Sequence, residues 1–158
     1  MKAKINYLTG DATKPIGDGR KIIAHICNDK GGWGKGFVLA VSKRWKEPEV
    51  QYREWFKNNE AFDLGEIQVV IVEKGLSVAN MIAQKGMGAT NGVPPIRYEA
   101  LKKCLEELYA VAKEQNASVH MPRIGCGLAG GKWDIVQEII NEKLTAKGVN
   151  VWIYDFKS

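Results

Sequence analysis

The chain has 158 residues, 45% hydrophobic and 26% charged, with 23 Lys and Arg against 18 Asp and Glu and a formal net charge of +5. That is the composition of one globular domain over residues 1–158, large enough to bury a core without disulfides or a structural metal, and it leaves little room for a second domain. The basic residues are scattered, as in Lys43-Arg44 and Lys102-Lys103, with no run of five; this argues against long nucleic acid and for small phosphate-bearing ligands.

Apolar alternation at Ile5 and Tyr7 predicts a first strand, and the run from Ile22 to Cys27 a second, with Gly17 and Gly19 marking the loop between them. Residues 36 to 58 predict one or two helices, with Pro48 suited to the first turn of the second and Trp45, Tyr52 and Trp55 supplying packing bulk. Ile67 to Val72 and Val78 to Ala83 read as the next two strands. Over residues 97 to 115 Leu101, Leu105, Leu108 and Ala112 share one face, with Lys102, Lys103, Glu106 and Lys113 elsewhere, the pattern of a helix packed on a sheet. Val119 to Met121 is a fifth strand. Trp133, Val136, Ile139, Ile140 and Leu144 repeat the helical pattern before a last strand at Val151 to Tyr154. Strands alternating with helices predict an α/β sandwich.

Three cysteines, Cys27, Cys104 and Cys126, form no C-x-x-C pair, which points to a reducing, cytoplasmic setting and away from a zinc site. No stretch approaches the roughly 18 apolar residues of a membrane span, and Met1-Lys2-Ala3-Lys4 leads directly into the first strand rather than into a signal peptide. No metal or cofactor is expected.

Of 17 glycines, eleven fall in three short segments: Gly31, Gly32, Gly34 and Gly36; Gly86, Gly88 and Gly92; and Gly125, Gly127, Gly130 and Gly131. Each segment follows a predicted strand, so in a mainly parallel sheet all three loops share the carboxyl edge, where such sheets bind ligands. Loops of this kind turn backbone N–H groups toward phosphate oxygens; singly, each is equally explained as a tight turn.

Three familiar motifs fail on inspection. Gly125-Cys126-Gly127-Leu128-Ala129-Gly130 fits G-x-G-x-x-G, and Asp155 follows the next strand, but the sequence given holds no further strands to complete a dinucleotide-binding sheet. Cys126 with Lys132 lacks the arginine clamp of a cysteine phosphatase. In Gly32-Trp33-Gly34-Lys35-Gly36 the lysine is followed by glycine where a P-loop needs Ser or Thr.

Gly10-Asp11-Ala12-Thr13, Ala24-His25-Ile26-Cys27-Asn28 with Gly31-Gly32-Trp33-Gly34-Lys35-Gly36, and Met121-Pro122-Arg123-Ile124-Gly125-Cys126-Gly127-Leu128 together resemble the macro domain family. The resemblance is strongest to the branch of terminal ADP-ribose protein glycohydrolase and the yeast-type ADP-ribose 1''-phosphate phosphatases. It implies a macro-domain-like three-layer α/β/α sandwich with a six-stranded mixed sheet, and ADP-ribose or a derivative as ligand.

The resemblance also assigns roles. It makes Asp11, with the Ala12 backbone, the recogniser of the adenine amino group, and Phe156, or Tyr154 in another register, the aromatic packed on the base. It makes Arg123, Ile124, Gly125, Cys126, Gly127, Leu128 and Ala129 the diphosphate loop, with the Arg123 side chain either at the ligand or bracing the loop. Asn28, Gly32, Trp33, Gly34, Lys35 and Gly36 resemble the loop around the distal ribose.

Two departures bear on chemistry. Where glycohydrolases of this branch carry a catalytic lysine and aspartate, this sequence has Gln84 and Ala129. Lys85 replaces the lysine only if the strand has already ended. Asn28, Asp29, Lys35 and His25 remain as a set able to position and activate water, although a lone histidine in an apolar strand is as well explained as a core residue. His120 is read as structural. The expected function is hydrolysis of a phosphate, acyl or protein-linked group at the distal ribose; the alternative is a reader that binds free or protein-linked ADP-ribose without turnover.

Overall fold

The computed structural model describes residues 3–156; Met1 and Lys2, which begin the segment expected to lead into the first strand, lie outside them, as do Lys157 and Ser158. Six strands and four helices follow in the order β1 (Ile5–Thr9), β2 (Lys21–Asn28), α1 (Phe37–Arg44), α2 (Glu47–Asn58), β3 (Ile67–Glu73), β4 (Leu76–Gln84), α3 (Tyr98–Gln115), β5 (Ser118–Met121), α4 (Trp133–Lys143) and β6 (Val151–Asp155), with a 3-10 turn at Thr145–Lys147. Every predicted element is present. The strands overrun their predicted ends by one or two residues, because end residues such as Lys21, Asn28 and Gln84 pair in the ladder without being apolar.

The sheet order is β1-β6-β5-β2-β4-β3. Neighbours pair in parallel except β3, which runs antiparallel to β4 at the edge. β2 and β4 lie inside the sheet with both faces covered, which is why they read as near-continuous apolar runs. Ile22 and Ala24 of β2, with Ala79, Met81 and Ala83 of β4, pack beneath α3 and α4. Ile23 and Cys27, with Val78 and Ile82, face α1 and α2 together with Trp33, Trp45 and Tyr52. The molecule is therefore a three-layer α/β/α sandwich with a mixed six-stranded sheet. Helix ends follow from local chemistry: Glu47, Pro48 and Glu49 suit the first turn of α2, and Asn116 closes α3 in the left-handed region. No helix among the described residues is long and apolar enough to cross a membrane.

Two histidines are built into this sheet. His25 pairs in register with Asn80 of β4, and its Nε2 lies 2.6 Å from Asn80 Oδ1. The Asn80 amide is oriented because its Nδ2 donates to Pro48 O and Gln68 Oε1, while Gln68 donates to Gln51 O. His25 must therefore carry its proton on Nε2. His120 contacts Ser118 Oγ and Tyr154 Oη, each at 2.7 Å. Burial lowers the pKa of both imidazoles to about 4, with the Asn80 bond opposing the fall at His25 and the Lys21 charge adding to it at His120.

Unfolding returns each imidazole to a pKa near 6.5, so between pH 6.5 and about 4 the unfolded chain binds more protons and stability falls with falling pH, on the order of 3 kcal/mol per histidine by the lower end. Above pH 6.5 both states are neutral and the effect vanishes. Thermal melts followed by circular dichroism between pH 7 and 4.5 are expected to show a falling midpoint, with a shallower slope in His120→Gln. An unaltered slope in that variant would assign the pH dependence elsewhere.

Candidate functional site

Parallel pairing brings the carboxyl ends of β1, β6, β5, β2 and β4 to one edge of the sheet, and there the chain leaves a cleft of about 810 Å³ beside a second hollow of about 330 Å³. Gly36, Phe37 and Pro122 border both, so the two form one elongated site. Two of the three predicted glycine loops meet here; from the third, Met87 lines the cleft but Gly86, Gly88 and Gly92 do not. Gly32, Gly34, Lys35 and Gly36 line the larger hollow opposite Arg123, Ile124, Gly125, Gly127, Leu128 and Ala129, with Asn28 and Gln84 at its far end. Asp11, Ala12, Tyr154 and Phe156 line the smaller one.

Two walls of the larger hollow are backbone. Gly36 has φ +87° and ψ −150°, a conformation open essentially to glycine, and it turns the chain into α1 with the helix N-terminus at the cleft. Across from it, Gly125 takes φ +75°. The loop it starts is tied by Gly131 N to Gly125 O at 2.6 Å and Gly130 N to Gly127 O at 3.1 Å. Among the described residues, the N–H groups of Gly34, Lys35 and Gly36 on one wall and of Gly125, Gly127 and Leu128 on the other donate to no protein acceptor. Free amides in such turns, with a helix N-terminus and Lys35 beside them, form a cradle for an anion. The Leu128 side chain reaches toward Gly36, its Cδ1 3.4 Å from where a Cβ would stand.

The side chains at the far end are largely committed to holding this backbone. Asn28 Oδ1 accepts from Lys30 N, Gly32 N and the Tyr52 hydroxyl, and its Nδ2 donates to Gly32 O. One Nδ2 hydrogen remains, so toward the cleft Asn28 is a donor only. Asp29 lies off the cleft and holds the loop after β4 through Oδ1 to Gly86 N at 2.8 Å. Gln84 donates to Gly86 O. Lys85 follows the end of β4 and is exposed, but it does not line the cleft.

Several expectations need correction. His25 borders the cleft floor but is 1% exposed, with Nε2 bonded to Asn80 and its pKa lowered by burial to about 4, so its ring is used mainly in packing. Trp33 points into the α1 and α2 layer, 3% exposed, with Nε1 donating to Ser42 Oγ. Cys126 is off the cleft lining, and burial raises its thiol pKa. Tyr154 is buried, its hydroxyl accepting from Ile16 N, which leaves Phe156, 74% exposed, as the free aromatic of the smaller hollow. Asp11 uses Oδ1 on Thr13 N and Thr13 Oγ1, leaving Oδ2 for a ligand. Trp133 packs against the core as expected and also contacts Tyr7 and Arg123.

No local pattern marks Met87, which lines the far end with its Sδ against Gly32, or Tyr52 as the support of Asn28. Phe37 could have been found as the first residue after the glycine loop. No carboxylate lines the larger hollow among the described residues, and no group of three His, Cys, Asp or Glu there is arranged to hold a metal.

The glycines divide by what surrounds them. A Cβ on Gly125 would stand 2.4 Å from Ile96 Cδ1, and one on Gly131 2.4 Å from Gly125 O, whereas Gly34 and Gly127 have ordinary φ and nothing within 4 Å. Gly125→Ala and Gly131→Ala are therefore expected to lower the thermal midpoint sharply, by about 1–3 kcal/mol of strain, while Gly34→Ala and Gly127→Ala melt with the parent.

Comparison with known proteins agrees with this geometry. The sequence matches the Macro domain family over residues 24–140. A solved macrodomain protein from Streptomyces coelicolor is 51% identical, with a TM-score of 0.87 over 96% of this chain and 99% of that one. Chromodomain-helicase-DNA-binding protein 1-like of Mus musculus is 31% identical over 96% of this chain, which spans only 18% of that protein's length. An ADP-ribose 1''-phosphate phosphatase of Lodderomyces elongisporus is 26% identical over 96% of this chain and 99% of its own. With the expected sandwich, the glycine loops gathered on one sheet edge and a family match over most of its length, this chain belongs to the macro domain family.

Proposed function

We propose that the cleft binds ADP-ribose or a derivative and that the chain is a hydrolase acting on a phosphate or acyl group at the distal ribose. The observation that carries the reading is the pair of facing walls of unspent amides, continuous with a hollow that offers a free carboxylate oxygen on Asp11 and an exposed Phe156. Adenine fits the smaller hollow, the diphosphate fits between the walls, and the distal ribose then faces Asn28, Gly32, Lys35 and Met87. The relative named as an ADP-ribose 1''-phosphate phosphatase supports this class of ligand.

At the reaction end the remaining Asn28 N–H and the Lys35 ammonium supply positive potential where charge would develop on a departing phosphate or on an acyl oxyanion. With His25 sealed and Asp29 turned to Gly86, catalysis rests on electrostatics and on water held at the ribose. ADP-ribosylated protein is included as a ligand, because the far end of the cleft opens to solvent beside Met87. The free cysteines favour a reducing compartment such as the cytoplasm.

A second reading, a reader without turnover, is favoured by one observation: no carboxylate lines the larger hollow among the described residues, and Gln84 and Ala129 stand where related glycohydrolases carry their catalytic pair. The two readings separate by experiment. Calorimetry with ADP-ribose should show saturable binding. Incubation with ADP-ribose 1''-phosphate, O-acetyl-ADP-ribose and glutamate-linked ADP-ribosyl protein should release product from at least one. Binding without product makes the chain a reader, and absence of binding removes both readings.

Because Gly34 and Gly127 are not required by packing, their alanine variants are expected to keep the parent's melting midpoint while weakening ADP-ribose binding about tenfold or more. Phe156→Ala should weaken AMP and ADP-ribose alike, by about 1–3 kcal/mol, the range for loss of one base-stacking aromatic.

A further inference from the structure

The two ends of the site sit on different strands. The diphosphate loop continues β5, whereas Phe156 directly follows β6, and the ladder between those strands ends at the pair Met121 and Ile153. Beyond that pair no ladder bond joins the two strands directly; β6 is held there from its other side, where Gly10 N donates to Asp155 O at 2.9 Å. Arg123 Nε lies 2.6 Å from Asp155 Oδ1, and its second terminal nitrogen (Nη2) lies 3.0 Å from Oδ2. This is a two-pronged fork onto the residue next to Phe156. The guanidinium is held between two rings, 5.2 Å from Tyr7 and 5.0 Å from Trp133. Those rings meet edge to face at 80°, and Trp133 Nε1 donates to the Tyr7 hydroxyl, which also bonds the Gln137 side chain. Residues from β1, the β5 loop, α4 and β6 thus converge on one cation.

An exposed ion pair is ordinarily worth little, since two flexible side chains must be ordered to form it. Here both partners are already ordered: the guanidinium by the aromatic pair, the carboxylate by its place at the end of β6, and the planar fork matches both oxygens at once. Consistent with that, the pair holds the Asp155 pKa below its ordinary value and raises that of Arg123.

We infer that Arg123, through Asp155, is a positioning residue that fixes the distance between the diphosphate loop and the adenine shelf. The proposal rests on the ADP-ribose reading. It implies that breaking the clamp harms ligands that occupy both ends of the site and spares those that occupy one. A residue that only stabilised the fold would harm both kinds equally, and a guanidinium acting directly on phosphate would not need Asp155.

The test is calorimetry with ADP-ribose and with adenosine, which carries no phosphate, on the parent, Arg123→Gln, Asp155→Asn and the double variant, each with its melting midpoint measured. Each single variant is expected to weaken ADP-ribose about tenfold, the double no further, and adenosine less than about twofold. Arg123→Lys serves as a second, milder variant; it should behave like Arg123→Gln, because one ammonium cannot span both oxygens. Additive losses, a loss confined to the Arg123 variants, equal losses for adenosine, or no loss would each overturn the clamp. A parent that binds neither ligand would instead overturn the ADP-ribose reading, and the clamp's role with it.

Discussion

Parallel strand pairing is the constraint on which the rest depends. Each of β1, β2, β4, β5 and β6 ends on the same edge, and a chain leaving a parallel strand must turn away at once toward its crossover, so its next backbone groups fall outside any ladder. Elsewhere in a compact protein such groups find partners. At this edge glycine keeps side chains out of the way in two of the turns, and Gly34, Lys35, Gly36, Gly125, Gly127 and Leu128, which line one space, keep N–H groups without a protein acceptor. The site is therefore a consequence of topology first and of particular side chains second.

The polar side chains nearest that space serve mainly as its scaffold. Asn28 folds its own loop around its carbonyl oxygen, Asp29 anchors the next loop through Gly86, and Tyr52 reaches up from α2 to hold Asn28. Each directs hydrogen-bonding capacity inward, to backbone, and so fixes where the free amides point. Rigid placement of weak donors can rival a mobile charge, because no reorganisation is needed when the anion arrives.

Most of the fold was legible in the sequence because it is encoded in periodicity. Alternation locates β1, short apolar runs locate β2 to β6, the 3.6-residue repeat locates α3 and α4, and Pro48 marks the start of α2. The glycine spacing likewise indicates which loops would meet. What was not legible is how side-chain hydrogen bonds are spent. Nothing local says that His25 faces Asn80 across a parallel pair, that Trp33 turns into a core while its neighbours line the cleft, or that Asp29 bonds an amide 57 residues later. Those outcomes are set by contacts between distant segments, and residue type alone leaves them open. Met87 was missed for the same reason: only the fold brings its sulfur over Gly32.

The reach of Leu128 toward Gly36 bears on fit. This side chain is 60% exposed and lines the cleft, so an aliphatic group stands beside the Gly36 turn among the backbone donors. A guest seated between the walls therefore meets hydrocarbon as well as N–H groups there, and covering it removes apolar surface from water.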